Sequence, residues 1–103
     1  MVDPKEIKEI KKAIVEGDEK KVRNMLKKSP DLASDWRPVL EAALLGRAEI
    51  MQSLIDHYAD VDVVASVGGW RPLHRALWPR EGVEAGPGHK AVIALLLKFG
   101  ADI

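Results

Sequence analysis

The chain contains an internal repeat, and this feature restricts its fold more than any other. Residues 36–43 read Trp-Arg-Pro-Val-Leu-Glu-Ala-Ala, and residues 70–77 read Trp-Arg-Pro-Leu-His-Arg-Ala-Leu, at a spacing of 34. The match resumes at a spacing of 42, where Gly46 aligns with Gly88. The change of spacing predicts an eight-residue insertion at about 80–87. A unit of this length buries its apolar face only by stacking on a neighbour, which predicts a stacked-repeat fold.

A fainter copy precedes these two, since Ala13–Gly17 parallels Ala42–Gly46. We therefore predict one domain over residues 1–103, made of three units at about 3–33, 34–66 and 67–103. Each unit is expected to be a helix-turn-helix, giving an all-α solenoid with irregular first and third units. Gly17, Gly46 and Gly88 are expected in the turns between paired helices, where a residue without a Cβ is favoured.

Cap signals and apolar stripes predict the individual helices. Asp3 is a predicted N-cap with Pro4 after it and Glu6 completing a capping box, and Asp18 is a predicted cap of the second helix. Pro38 and Pro72 are expected to open short first helices. Residues 62–69 could form a small hairpin between units two and three. The apolar stripes at helical spacing are Ile7, Ile10 and Ile14; Val22, Met25 and Leu26; Ile50, Met51, Leu54 and Ile55; and Val92, Ile93, Leu96 and Leu97.

Two segments of the third unit resemble the ankyrin repeat family. Residues 69–76, Gly-Trp-Arg-Pro-Leu-His-Arg-Ala, are similar to the family's Gly-x-Thr-Pro-Leu-His-x-Ala signature. Residues 88–103 resemble its second helix and its Gly-Ala-Asp-Val ending. The resemblance implies a helical solenoid that binds other proteins. Arg37 and Arg71 depart from the family pattern, since they stand where it has the Thr that caps the first helix. An Arg side chain cannot accept the backbone hydrogen bond that such a cap makes.

Composition excludes several other classes of protein. The chain has 103 residues, of which 47% are hydrophobic and 31% charged, as in a folded single domain. Its net charge is zero, with +3 on residues 1–28 and −3 on the rest, so no nucleic-acid partner is expected. There is no cysteine, no apolar signal core at the start and no apolar run of membrane-spanning length. We expect a cytoplasmic protein without a membrane partner.

Catalytic, metal and cofactor sites are not expected. The three histidines, His57, His74 and His89, lie in different predicted elements, and the resemblance gives His74 a structural role. The chain has four serines, none in a nucleophile turn, and no threonine. The protein is therefore predicted not to be an enzyme.

One segment formally matches a phosphate-binding pattern. Gly86–Ala91 fits Gly-x-Gly-x-x-Gly/Ala, which binds dinucleotides only after a strand and in a βαβ unit. A small-ligand or nucleotide site at this helix start is kept as an alternative function.

Tryptophan and arginine mark the predicted partner-binding surface. Both types are enriched in the residues that dominate protein interfaces. Two Trp residues precede the Arg-Pro that opens a first helix, and a third begins the insertion, whose loop could also contact a partner. The predicted contacts are Trp36, Arg37, Trp70, Arg71, Arg75, Trp78, Arg80 and Glu81. The alternative is that each Trp packs on the neighbouring unit in place of the missing Thr cap.

The expected function is binding of another protein, as an adaptor or as an immunity-type inhibitor. The binding surface would consist of the fingertips, which are the tips of the connections between successive units, together with the concave face of the first helices and the 80–87 loop. The alternative is self-association, since no polar capping unit follows the third stripe in this sequence. That homo-oligomer would form through Leu95, Leu96, Phe99 and Ile103.

Overall fold

All regular elements in the described part of the chain are helices. The computed structural model describes residues 2–80 and 82–101. A 3₁₀ helix covers Pro30–Ser34. The α-helices are α1 (Pro4–Glu16), α2 (Glu19–Lys28), α3 (Trp36–Leu45), α4 (Ala48–Asp56), α5 (Pro72–Leu77) and α6 (Pro87–Lys98).

The helices form two layers. Helix α3 packs against both α1 and α5, and α4 packs against both α2 and α6. Within each pair, α1 contacts α2, α3 contacts α4 and α5 contacts α6. Three helix pairs therefore stack side by side, which confirms the predicted all-α helical repeat fold.

Aspartate side chains start three of the helices. Asp3 Oδ1 accepts from the Lys5 amide at 2.9 Å, and Asp18 Oδ1 accepts from the Lys21 amide at 3.1 Å, as predicted. The predicted role of Glu6 is wrong, because its carboxylate instead accepts from the Ser29 hydroxyl at 2.6 Å. This bond fastens α1 to the end of α2.

Helix α3 begins earlier than predicted. Asp35 Oδ1 accepts from the Arg37 amide at 2.9 Å, so α3 starts at Trp36 and Pro38 lies inside its first turn. The cap lost with the family Thr is thus supplied two residues earlier. In the third unit Pro72 does open α5, but its N-cap Arg71 makes no side-chain cap bond.

The predicted apolar stripes form the core. Ile10, Ile14, Leu26 and Leu54 are fully buried, and most other stripe residues are buried or half-buried. Leu97 is the exception at 43% exposure. It lies about 100° around α6 from Leu96 and faces away from the core.

Residues 57–71 connect α4 to α5 without forming a strand. Instead of the suggested hairpin, a turn at Ser66–Gly69 is closed by one bond, from the Ala65 amide to the Trp70 carbonyl at 2.9 Å. Two glycines of the turn, Gly68 and Gly69, have positive φ, which a strand does not adopt. This turn places Trp70 directly before α5.

Long side chains tie each helix pair to the one before it. Arg47, at the start of α4, donates to the carbonyls of Ile14 at 3.0 Å and Val15 at 2.7 Å. His89, in the first turn of α6, contacts the Leu44 carbonyl through Nε2 at 2.7 Å. Both side chains hydrogen-bond to carbonyls at the end of α1 or α3, helices of the layer formed by α1, α3 and α5. Such terminal carbonyls have no partner inside their own helix.

Gly17 and Gly46 end α1 and α3 in the left-handed conformation, as predicted. The prediction for Gly88 is wrong, because this residue lies inside α6 after the N-cap Gly86. A Cβ added at Gly88 would collide with the backbone carbonyl of Gly46. Gly88 is thus required by the close approach of α6 to the end of α3.

Candidate functional site

The layer formed by α1, α3 and α5 and the connection between α4 and α5 line a groove, which we call the tryptophan groove. It encloses about 490 Å³ of space, part of it open solvent. Its lining residues come from α1, α3, the connection, α5 and the loop after α5. They are Lys11, Trp36, Arg37, Leu40, Glu41, Leu44, Ala65, Val67, Trp70, Arg75 and Arg80. The groove therefore brings together Trp36, Arg37, Trp70, Arg75 and Arg80, five of the residues that the sequence singled out.

Arg37 is already paired within the protein. Its Nε and Nη2 donate to Asp35 Oδ1 and Oδ2, each at 2.9 Å. The hydrogen bond from the Arg37 side chain holds the pKa of Asp35 below its usual value. Because this pair is charge-balanced, Arg37 contributes little net positive charge to the groove.

Trp70 and Arg75 are stacked on one another. The guanidinium carbon of Arg75 lies 4.2 Å from the centre of the Trp70 ring, within the range of a cation–π contact. Arg75 also donates from Nη1 to the Trp78 carbonyl at 3.4 Å. The contact holds the indole of Trp70 and the positive charge of Arg75 together in one wall of the groove.

Glu41 lies in the groove without a polar partner. Its side chain extends from α3 and is only 9% exposed, yet it makes no hydrogen bond or ion pair within the described residues. Lys11 and Arg80 likewise form no ion pair with any described residue. The groove lining thus includes three cationic side chains, Lys11, Arg75 and Arg80, and one carboxylate, Glu41, none of which forms an ion pair with a described residue.

Of the remaining predicted contacts, Arg71 and Trp78 do not line this groove. Arg71 is half-buried at the start of α5. Trp78 ends α5 at 62% exposure, and its ring centre lies 6.2 Å from that of His74. Glu81 lies outside the described residues. Trp78 therefore belongs to a separate exposed surface, linked to the groove only through the Arg75 bond to its carbonyl.

Sequence reasoning missed Glu41 and Lys11 as groove residues. Glu41 is the one charged residue in the apolar run from Val39 to Leu45, and this interruption could have identified it. No sequence signal distinguishes Lys11 from its neighbouring lysines, since its place beside α3 appears only once α1 packs there.

The histidines do not come together. His57 Nδ1 lies 2.8 Å from the Ser53 carbonyl, His74 is exposed beside Trp78, and His89 is buried against Leu44. Among residues 2–80 and 82–101, no group of three or more His, Asp or Glu side chains could hold a metal ion.

The start of α6 has little room for a phosphate. The Gly86 amide donates to His89 Nδ1 at 3.2 Å, Pro87 has no amide hydrogen, and the backbone of Gly88 packs on Gly46. Since one amide is bonded within the protein and Pro87 has none, few donors are left at this helix start, and the geometry disfavours the nucleotide alternative at Gly86–Ala91.

The surface suggested for self-association is only partly exposed. Leu96 is fully buried, so its place in that prediction is wrong, because it faces the core from α6. Leu95 is half-buried and Phe99 is 44% exposed, while Ile103 lies outside the described residues.

The longest helix among the described residues is α1, with 13 residues. No described helix combines the length and apolarity needed to cross a membrane.

Part of the chain is similar to a curated ankyrin-repeat protein. The chain is 33% identical over 66 residues to "Ankyrin repeat and SAM domain-containing protein 6" of Mus musculus. The match covers 64% of this chain and 7% of the mouse protein. No family model and no solved structure matches the chain. The similarity and the stacked helix pairs are consistent with ankyrin repeats.

Proposed function

We propose that this chain is an ankyrin-type recognition module that binds a partner protein in the tryptophan groove. The observation that carries the proposal is that one groove is lined by Trp36, Trp70, Arg75 and Arg80. The first and last of these residues are 44 positions apart in the sequence. The resemblance to ankyrin repeats supports it, as does the relative whose name includes them.

The groove has the composition of an interface centre. Trp and Arg bury large surfaces and are enriched among the residues that dominate binding energy. Trp36 and Trp70 are both half-buried, so each has surface left for a partner. The contact with Arg75 restricts the Trp70 ring before any partner arrives, which lowers the entropy lost on binding.

The remaining predicted contacts are proposed to lie around this centre. Arg71, Trp78 and Glu81 would meet the edges of a partner larger than the groove, together with the 80–87 loop. The protein would act without catalysis or a cofactor, as an adaptor or as an inhibitor that covers its partner. Units at about 3–33, 34–66 and 67–103 and a cytoplasmic location remain part of this proposal.

The proposal is tested by affinity capture from a host lysate, with quantitative mass spectrometry. Wild type is compared with Trp36→Ala/Trp70→Ala and with the control Tyr58→Ala, which removes an aromatic side chain outside the groove. Circular dichroism verifies that each variant keeps its helices. We expect a partner retained by wild type and Tyr58→Ala and lost by the groove variant. Equal retention by all three proteins would refute the groove as the binding site.

Self-association is the second candidate function, favoured by Leu97 and Phe99. These side chains are 43% and 44% exposed at the end of α6. Sedimentation equilibrium distinguishes the two functions. A mass that rises with concentration and returns to the monomer in Leu97→Gln/Phe99→Gln would support self-association. A constant monomer mass would exclude it.

A further inference from the structure

Three of the four cationic side chains that line the tryptophan groove form no ion pair with a described residue. Arg37 is neutralised by Asp35, but Lys11, Arg75 and Arg80 make no ion pair with any described residue. They approach the same space from α1, from α5 and from the loop after α5. Like charges brought together around one groove repel one another, and an anionic ligand relieves that repulsion. The charge arrangement therefore indicates an anionic occupant.

Glu41 adds a second requirement on the occupant. The residue as a whole is only 9% exposed, and its carboxylate, whose oxygens still reach solvent, has no donor within the described chain. An occupant that displaced water from Glu41 without donating a hydrogen bond would leave a buried acceptor unsatisfied, at a large cost. The ligand must therefore supply a hydrogen-bond donor as well as negative charge.

From these two observations we infer that the groove binds an acidic peptide segment of the partner protein. Carboxylates of the segment pair with Lys11, Arg75 and Arg80, and a peptide N–H donates to Glu41. Every residue of a peptide except proline carries such a donor. An ionised phosphate group carries none, which favours a peptide over a bare polyanion. This inference rests on the proposed function and specifies the chemistry of the partner.

The rest of the groove suits the apolar part of such a segment. Leu40 and Leu44 of α3 lie in the lining beside the two indoles. Apolar side chains interspersed with the acids would pack there and exclude water from the ion pairs. The account thus requires an acidic segment whose binding weakens with salt, because its charge contacts lie at an open surface.

The test titrates the protein with short poly-L-glutamate at low ionic strength and follows tryptophan fluorescence. The variant Arg75→Gln/Arg80→Gln is compared with Lys27→Gln/Lys28→Gln, which removes the same charge from exposed residues of α2. We expect the groove variant to weaken binding about tenfold and the control to change it less than about twofold. No binding by wild type, or equal losses in both variants, would overturn the inference.

Glu41→Leu separates a peptide from a simple polyanion. Removing the carboxylate takes away repulsion and should strengthen the binding of inorganic polyphosphate, which carries no N–H donor and meets Glu41 only as a like charge. Poly-L-glutamate should bind about threefold or more weakly, since its N–H loses an acceptor. Tighter binding of both polymers would contradict a peptide-donor role for Glu41. Tighter binding of oligouridylate than of poly-L-glutamate by wild type would favour nucleic acid instead.

The capture experiment keeps this inference distinct from the proposed function. A partner lost by Trp36→Ala/Trp70→Ala but fully retained by Arg75→Gln/Arg80→Gln would preserve the recognition function and refute the acidic segment. Loss by both variants would support the two together. Retention by both would remove the groove from either account.

Discussion

His89 donates from Nε2 to the carbonyl of Leu44, at 2.7 Å and across 45 residues of chain. The direction follows from its other nitrogen, because Nδ1 accepts the Gly86 amide at 3.2 Å and therefore carries no hydrogen. Arg47 occupies the equivalent place in the preceding unit and donates to the carbonyls of Ile14 and Val15. The same structural position thus hydrogen-bonds a unit to the preceding one, through Arg47 in the second unit and through His89 in the third.

His89→Ala should destabilise the protein by about 2 kcal/mol or more, since it leaves the Leu44 carbonyl and the Gly86 amide without partners. Urea unfolding followed by circular dichroism measures the change. The control is His74→Ala, which removes an exposed imidazole and should change stability by less than about 0.5 kcal/mol. Equal effects would show that the His89 bonds contribute nothing specific.

Gly88→Ala should also destabilise, although alanine normally favours a helix by about 1 kcal/mol over glycine. The new methyl group would meet the Gly46 carbonyl, forcing α6 away from α3 at a cost of about 1–3 kcal/mol. Gly86→Ala is the control, because a Cβ there meets nothing within 4 Å. A rise in melting temperature for Gly88→Ala would contradict the close approach.

Tyr58→Gly should stabilise the protein by about 1 kcal/mol. Tyr58 has φ of 68° and is the one described residue other than glycine with positive φ. Side chains with a Cβ are strained in that conformation. Its side chain is 92% exposed, so little packing is lost with it. Tyr58→Ala, which keeps the Cβ, should give little of the gain in the same thermal unfolding measurement.

Asp35→Asn should lower stability at neutral pH by about 1 kcal/mol, because it removes the charge from the bonds to Arg37 while Asn remains a good N-cap. The pKa of Asp35 is lowered from 3.8 in the folded state. Its contribution is therefore complete above pH 3.8 and is lost as the pH falls through the lower, folded pKa. The stability difference between wild type and variant should shrink in that acidic range. A difference independent of pH would contradict the ion-pair contribution, and exposed Asp31→Asn serves as the control.

Sequence patterns predicted the helix pairs because apolar residues recur at helical spacing in every unit. Ile10 and Ile14 mark the buried side of α1, and Ile50 and Leu54 mark that of α4. Such stripes depend on local geometry alone, so no knowledge of the neighbours was needed. The stacking order followed from the repeat itself.

The features that depend on contacts between units could not be predicted in this way. The sequence predicts a turn at Gly88 because glycine suits turns, whereas the structural role of this residue is to let two backbones meet. The pattern located Trp36 and Trp70, but not the presence of Lys11 and Glu41 in the same groove. Long-range proximity of this kind arises only when the units pack together.

Site-specific photo-crosslinking tests the central claim, that a partner protein occupies the tryptophan groove, most directly. A photoreactive phenylalanine analogue replaces Val67, which lines the groove at 76% exposure, or Tyr58, which is exposed outside it. The account predicts that the captured partner is crosslinked from position 67 and not from position 58. Crosslinking from position 58 alone would place the partner on another surface and contradict the account.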